Sequence, residues 1–240
     1  MLFRQLFDYD TWTYTYLIAD ESTKEAVLVD PVLEKVERDR QLIAELGLTL
    51  RYGLETHIHA DHITGTGKLR ELTDCVGVVP ENAEAACADR HIKDGETLQI
   101  GSIPIKAIAT PGHTDSHMAF LVNNDRVLTG DALFIRGCGR TDFQSGDPGT
   151  MYDVITQKIF TLPDETLVYP GHDYRGHTVS TIGEEKRWNP RFVNVDSPGT
   201  LRDRNSFIEL MNNLNLPDPK KIMEAVPANQ QCGQTVGASQ

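Results

Sequence analysis

The chain has 240 residues, of which 39% are hydrophobic and 24% are charged. That is enough apolar material for the core of one large domain or two small ones. The 23 Lys and Arg residues against 35 Asp and Glu residues give a net charge of −12, and so few basic groups are poorly suited to the phosphates of nucleic acid or the head groups of an anionic membrane. We therefore expect neither nucleic acid nor a membrane as a partner.

The sequence shows no apolar run near the roughly 20 residues that a membrane helix needs, and its first residues do not resemble a secretory signal. Four scattered cysteines, none in a Cys-x-x-Cys pair, favour reduced thiols over a disulfide framework; they are Cys75, Cys87, Cys138 and Cys232. These features predict a soluble cytoplasmic protein without disulfides.

Taken in chain order, β-forming residues predict a first hairpin over 11–19 and 25–30, and helical spacing of apolar residues predicts a helix over 34–46. The remaining predicted strands are 51–56, 76–79, 103–109, 118–122, 126–129 and 166–169. The remaining predicted helices are 66–73, 81–88, 148–160, 178–188 and 201–214, followed by a tail punctuated by prolines. This irregular mixture favours two packed sheets covered by helices. We expect a single domain over 1–240, with a helical and tail extension from about residue 178.

A histidine cluster follows the predicted strand 51–56, in the run His57-Ile58-His59-Ala60-Asp61-His62. In an extended chain, His57 and His59 project to the same side, and Asp61 and His62 lie at the turn that follows. Imidazoles crowded together repel each other when protonated, whereas a metal ion coordinates their neutral form. The spacing favours a metal site over the alternative of buried histidines that hydrogen-bond to their neighbours.

Three further candidate ligands lie after predicted strands, each beside a glycine that allows a sharp turn: His113, Asp131 and His172. Any one of them alone is most often a turn residue. Three such strand ends together with the first cluster strengthen the prediction of a metal site.

These residues resemble the metallo-β-lactamase-fold superfamily. The resemblance implies an α+β fold, the αββα sandwich, in which two facing mixed β-sheets are flanked by helices and the metal lies at one edge. Asp30, which follows the predicted strand 25–30, resembles the buried aspartate that supports the metal loop in that superfamily.

Two longer stretches, 130–144 and 169–181, are similar to the persulfide dioxygenase family, and the short region after Arg191 also favours that family. The resemblance implies a non-haem iron enzyme with one Fe²⁺ per chain, bound by the catalytic residues His57, His113 and Asp131. It implies an oxidoreductase that converts glutathione persulfide, O₂ and water to sulfite and glutathione, in sulfide and persulfide detoxification. The residues that would hydrogen-bond to and orient the ligands are His59, Asp61, His62 and His172.

Two alternatives stay open because the ligand list alone does not decide between them. A hydroxyacylglutathione hydrolase of the glyoxalase II type would use His59, Asp61, His62 and His172 as additional ligands for two Zn²⁺ ions, with Asp131 bridging them. A metal- or thiol-binding sensor without turnover is the third hypothesis, although such a protein would have little use for an open metal face.

A pocket for an anionic glutathione carrier requires local cations, because the protein as a whole is negative. The resemblance implies substrate contacts for Arg140, Tyr174, Arg187, Arg191 and Cys232. The sequence leaves a homodimer open.

Overall fold

A computed structural model describes residues 1–217 and 221–234 of the chain. Its strands are β1 Leu2–Asp8, β2 Thr13–Ala19, β3 Glu25–Val29, β4 Thr49–Leu54, β5 Val76–Pro80, β6 Arg90–Ile92, β7 Thr97–Ile100, β8 Ile103–Ala109, β9 Met118–Val122, β10 Arg126–Gly130, β11 Leu167–Pro170 and β12 Ser180–Thr181. Its α-helices are α1 Val36–Glu45, α2 Thr66–Thr73, α3 Pro148–Gln157, α4 Ile182–Trp188, α5 Arg204–Asn212 and α6 Ile222–Gln230, and short 3₁₀ helices cover Leu33–Lys35 and Ile159–Thr161.

The chain forms two compact units. The first consists of Met1–Lys93, Thr97–Ile105 and Pro217–Gln240, and the second consists of Asp94–Glu96 and Lys106–Leu216. The expectation of a single domain over 1–240 with an extension from about residue 178 stays a prediction. Among the described residues, no helix is both long and apolar enough to span a bilayer.

The first sheet has the strand order β1-β2-β3-β4-β5-β6. Strands β1, β2 and β3 pair antiparallel, whereas β3 to β6 run parallel. Apolar side chains of β2, β3 and α1 share one core, which includes Leu17, Leu28 and Ile43. Because the carboxyl ends of parallel strands meet at the same edge of a sheet, the chain segments that leave β3 and β4 come together there. Asp30 follows β3 and the histidine cluster follows β4.

The second sheet has the order β12-β11-β10-β9-β8-β7 and is also mixed, since β10 pairs parallel with β11 and antiparallel with β9. In the second unit, α3 and α5 contribute Met151, Ile155 and Phe207 to one buried core. The rings of Phe192 and Phe207 stack there with centroids 4.8 Å apart. This core supports the strand ends that carry Asp131 and His172.

Most predicted elements are confirmed within a few residues, but the segment 81–88 is not a helix. It forms short turns in which Ala83 and Ala85 are buried against Ile58 and Val79. Tertiary packing of these small side chains overrides their helical propensity. Conversely, α6 lies in what the sequence suggested was a tail, and Pro227 lies inside that helix.

The prediction that all cysteines are reduced is wrong for this structure, in which Cys87 and Cys232 form a disulfide across 145 residues of sequence. Cys75 and Cys138 are the free cysteines of the described chain. No local motif signals the pairing, because the fold brings the two residues together from distant segments.

Candidate metal centre

The loop after β4 holds three buried histidines close together in the first unit. His57, His59 and His62 are between 0% and 2% exposed. The ring centroids of His57 and His59 are 4.1 Å apart, and those of His59 and His62 are 4.2 Å apart. The predicted clustering of these side chains is confirmed.

Asp30 anchors the start of this loop. It is buried, it adopts a φ of 51° directly after β3, and its two carboxylate oxygens accept hydrogen bonds from the Thr56 amide at 2.7 Å and the Thr56 hydroxyl at 2.9 Å. The Thr56 hydroxyl also lies 2.9 Å from Nδ1 of His57. Because the single hydroxyl proton goes to Asp30, Nδ1 of His57 is the donor in that contact. The lone pair of a neutral His57 ring is therefore on Nε2, the nitrogen suited to bind a metal.

His59 lies between two carboxylates. Its Nε2 is 3.2 Å from Oδ1 of Asp30 and 3.3 Å from Oε2 of Glu55. Burial alone lowers the pKa of His59, but the charges and hydrogen bonds of Asp30 and Glu55 outweigh burial and hold the pKa well above its ordinary value of 6.5. This contact fixes the orientation of the ring.

The other nitrogen of His59 and one nitrogen of His62 are available to a metal. Nδ1 of His59 and Nε2 of His62 are buried and have no hydrogen-bond partner within the described part of the chain. Ligand atoms of His59, Asp61 and His62 lie within 4.8 Å of one another, and Asp61 accepts a hydrogen bond from Nδ1 of His62 at 2.9 Å. Buried unpartnered nitrogens beside a carboxylate are a donor set that fits a divalent transition metal.

In the second unit, the ends of β8, β10 and β11 bring together His113, Asp131 and His172, as the sequence predicts. Nε2 of His113 is 3.5 Å from one carboxylate oxygen of Asp131, and Nε2 of His172 is 3.6 Å from the other. Nδ1 of His113 donates to the carbonyl of Arg140 at 2.7 Å, so Nε2 carries the lone pair of the neutral ring. Oδ1 of Asp131 is buried and accepts no hydrogen bond from any described residue.

Glycines allow the backbone to approach Asp131 closely. A Cβ atom on Gly171 would lie 2.6 Å from Oδ1 of Asp131, and one on Gly139 would lie 2.3 Å from the Asp131 carbonyl oxygen. The Asp131 amide donates to Nε2 of His117 at 3.0 Å, so His117 also holds this part of the backbone. The element Gly137-Cys138-Gly139 therefore shapes the site through its backbone, since Gly139 lies against the Asp131 carbonyl.

Two of the residues predicted to contact substrate, Arg140 and Tyr174, contact other side chains of the protein. The Arg140 guanidinium binds Asp142 at 2.7 and 2.8 Å and lies 4.4 Å from the centre of the Phe143 ring. Tyr174 is 61% exposed and stacks on His172 with centroids 6.0 Å apart. Their assignment to the substrate stays a prediction.

Other predicted pocket residues have partners of their own. Arg187 lies over the Trp188 ring at 5.2 Å. Burial raises the pKa of the Cys138 thiol to about 12, and the nearby positive charge of Arg191 opposes this rise in part. Cys232 is buried with its sulfur in the disulfide, so in this state it offers no thiol to a substrate. The substrate roles of these three residues also stay predictions.

Sequence reasoning missed Asn229, whose side chain contacts the histidine loop. It belongs to α6, nearly 170 residues away along the chain, and no motif points to it.

Comparison with known proteins identifies the family. Residues 13–172 match the model of the metallo-beta-lactamase superfamily. The chain is 50% identical over 234 residues, 97% of its own length and 89% of the relative, to human "Persulfide dioxygenase ETHE1, mitochondrial". The crystal structure of ETHE1 from Myxococcus xanthus is 54% identical, with a TM-score of 0.92 over 98% of this chain and all of that one. The chain belongs to the persulfide dioxygenase family.

The family confirms the predicted α+β class and metallo-β-lactamase fold, in which the chain forms two mixed sheets with helices. A hydrolase relative is more distant: a probable hydroxyacylglutathione hydrolase of Schizosaccharomyces pombe is 30% identical over 88% of this chain and 90% of its own length. The prediction of a cytoplasmic protein is wrong, because the human, mouse and bovine persulfide dioxygenases at 50% identity are named mitochondrial.

Proposed function

We propose that this protein oxidises glutathione persulfide with O₂ and water to sulfite and glutathione. The observation that carries the proposal is the 50% identity to a persulfide dioxygenase over 97% of the chain. In the net reaction, the terminal sulfur leaves the glutathione sulfur and gains three oxygen atoms, two from O₂ and one from water. Glutathione thiol and two protons are the other products.

The proposed cofactor is one Fe²⁺ held by His57, His113 and Asp131. The structure supports this set because both histidines commit Nδ1 to a hydrogen bond with the protein, which leaves the lone pair on Nε2. Asp131 keeps a buried oxygen without a hydrogen bond among the described residues. Two histidines and one carboxylate are the usual ligands of non-haem iron in oxygenases, where the open positions accept substrate and O₂.

The neighbouring polar residues would orient these ligands. Asp30 sets the ring of His57 through the Thr56 hydroxyl, and His172 contacts the carboxylate of Asp131. His59, Asp61 and His62 would support the loop without binding iron. Nε2 of His59 contacts the carboxylates of Asp30 and Glu55, and Nδ1 of His62 donates to Asp61.

Carrier binding is proposed for Arg140, Tyr174, Arg187, Arg191 and Cys232. Arg140 already holds a carboxylate, that of Asp142, with two nitrogens. A carboxylate of glutathione could take the same paired contact, because a guanidinium binds such groups through two parallel hydrogen bonds. The homodimer remains a prediction that light scattering can test.

A second candidate is a hydroxyacylglutathione hydrolase with two Zn²⁺ ions. It is favoured by one observation, the unpartnered nitrogens of His59 and His62 within a potential metal-binding group that includes Asp61. Against it stands the lower identity of the hydrolase relatives, about 30%.

Metal analysis of protein purified without added metal separates the two candidates. About one iron per chain supports the dioxygenase, and about two zinc ions per chain support the hydrolase. A chain that binds metal but turns over neither glutathione persulfide nor a glutathione thioester would support the sensor hypothesis instead.

A further inference from the structure

The end of α6 holds the histidine loop through one buried amide, that of Asn229, which is 3% exposed. Its Nδ2 donates to the carbonyl oxygens of His59 at 2.9 Å and His62 at 2.8 Å. Its Oδ1 accepts a hydrogen bond from the Thr64 amide at 2.8 Å. One side chain thus satisfies three backbone groups of a loop that has no regular secondary structure.

The turn that follows Asn229 fits closely against the same segment. Cys232 and Gly233 have φ values of 56° and 83°, and a Cβ atom on Gly233 would lie 2.2 Å from the Thr64 carbonyl oxygen. A Cβ atom on Gly67, in α2, would lie 2.1 Å from the Cys232 carbonyl oxygen. Glycine at both positions allows this approach, so the position of the turn is closely defined.

The Cys87–Cys232 disulfide attaches this turn to the segment that follows β5. Apolar contacts add to the attachment, since Ile63 of the loop packs against Ala225 and Ala228 of α6. A helix of nine residues with a proline inside it is a weak element by itself. The disulfide therefore restrains the end of α6, a helix that its backbone hydrogen bonds alone stabilise only weakly.

We propose that Asn229 is a positioning residue that sets the backbone of the histidine loop. We also propose that reduction of the Cys87–Cys232 disulfide weakens the contacts of Asn229 with this loop. A low-molecular-weight thiol, the chemical class of one product of the proposed reaction, would act as the reductant. One thiolate attacks the disulfide to form a mixed disulfide, and a second thiolate releases it, so that two thiols become one disulfide and Cys87 and Cys232 become thiols. The inference rests on the proposed function only in treating the loop as metal-binding.

The first test measures Co²⁺ affinity of the metal-free full chain by absorption titration, which does not depend on dioxygenase activity. Asn229→Ala removes all three hydrogen bonds, whereas Asn229→Asp keeps the acceptor for Thr64 and loses the two donors. Both variants should bind Co²⁺ roughly 10–100-fold more weakly than the wild type. The matched control is Gln230→Ala, which removes a neighbouring α6 contact to Glu84 at the surface and should bind like the wild type.

The second test compares the oxidised chain with the chain reduced by a thiol and then freed of it. Reduction should accelerate amide hydrogen exchange over 57–64 and weaken Co²⁺ binding by about tenfold. A Cys87→Ser/Cys232→Ser double variant should resemble the reduced chain and should not respond to thiols, which excludes an effect of new thiol ligands.

Wild-type Co²⁺ affinity in both Asn229 variants would overturn the positioning role. If these variants fail to fold, amide hydrogen exchange provides the test. Identical protection of residues 57–64 in the oxidised chain and in the double variant would show that the disulfide does not restrain the loop. A chain that shows all the expected effects but no O₂ uptake would contradict the proposed function and leave this inference standing.

Discussion

The carboxylate of Glu185, in α4, offers a direct test of how the Gly-Cys-Gly segment is held. It is fully buried and accepts hydrogen bonds from the Arg136 amide at 2.9 Å, the Ser180 hydroxyl at 2.6 Å and the Asn189 side chain at 2.9 Å, and it pairs with the Arg136 guanidinium. Arg136 has a φ of 59° in the segment that follows Asp131. The ion pair therefore ties the loop after β10 to α4.

Replacing Arg136 by Met retains most of the apolar stem and removes the cation. The buried carboxylate then keeps only neutral donors, and breaking a buried pair in this way costs about 3–5 kcal/mol of the free energy of unfolding. The matched control is Glu184→Gln. Glu184 binds the same guanidinium at 2.7 Å but is 51% exposed, so its loss should cost less than about 1 kcal/mol.

Equilibrium urea unfolding of both variants at pH 7 measures this difference as a change in midpoint at constant slope. A cost for Arg136→Met that is no larger than the cost for Glu184→Gln would refute the reasoning. It would mean that water reaches Glu185 or that α4 moves to relieve the lost pair.

Three further predictions address acid stability, the metal and the substrate. Hydrogen bonds from Ser22 and Ser102 hold the pKa of Asp20 well below its ordinary value of 3.8, so Asp20→Asn should lower the melting temperature at pH 7. The difference in melting temperature between this variant and the wild type should shrink as the pH falls below 3.8. A difference that stays constant to about pH 2.5 would contradict this. His172→Ala should weaken iron binding roughly 10–100-fold without abolishing it, as measured by chelator competition, whereas loss of one of two metals would indicate the dinuclear hydrolase. Arg140→Ala should raise the KM for glutathione persulfide more than it lowers kcat, and an unchanged KM would remove this residue from the pocket.

Local patterns predicted most of the fold, because β2, β3, β8 and β9 each carry their apolar periodicity within a few residues. Strands β1, β6, β7 and β12 and helix α6 were not predicted from the sequence. Pro227 suggested a tail, yet packing against the histidine loop stabilises a helix around it. The segment 81–88 shows the converse, since burial of its alanines against other elements replaces the helix that their propensity favours.

The candidate ligands were predictable because they occur as a dense motif or directly after a strand. The residues that orient them were harder to find. Asp30 was suggested by family resemblance alone, and neither Asn229 nor the Cys87–Cys232 pair carries a local signal. Their roles arise from contacts between segments far apart in sequence, which composition and periodicity do not encode.

The central claim is that the chain catalyses the oxidation of a persulfide sulfur by O₂. An oxygen electrode with iron-loaded protein and glutathione persulfide, combined with sulfite analysis of the same samples, tests it most directly. O₂ uptake should start on addition of the persulfide, with about one sulfite formed per O₂ consumed, and the Asp131→Ala variant should show no uptake. A flat oxygen trace for the iron-loaded wild type, together with rapid hydrolysis of S-lactoylglutathione, would contradict it.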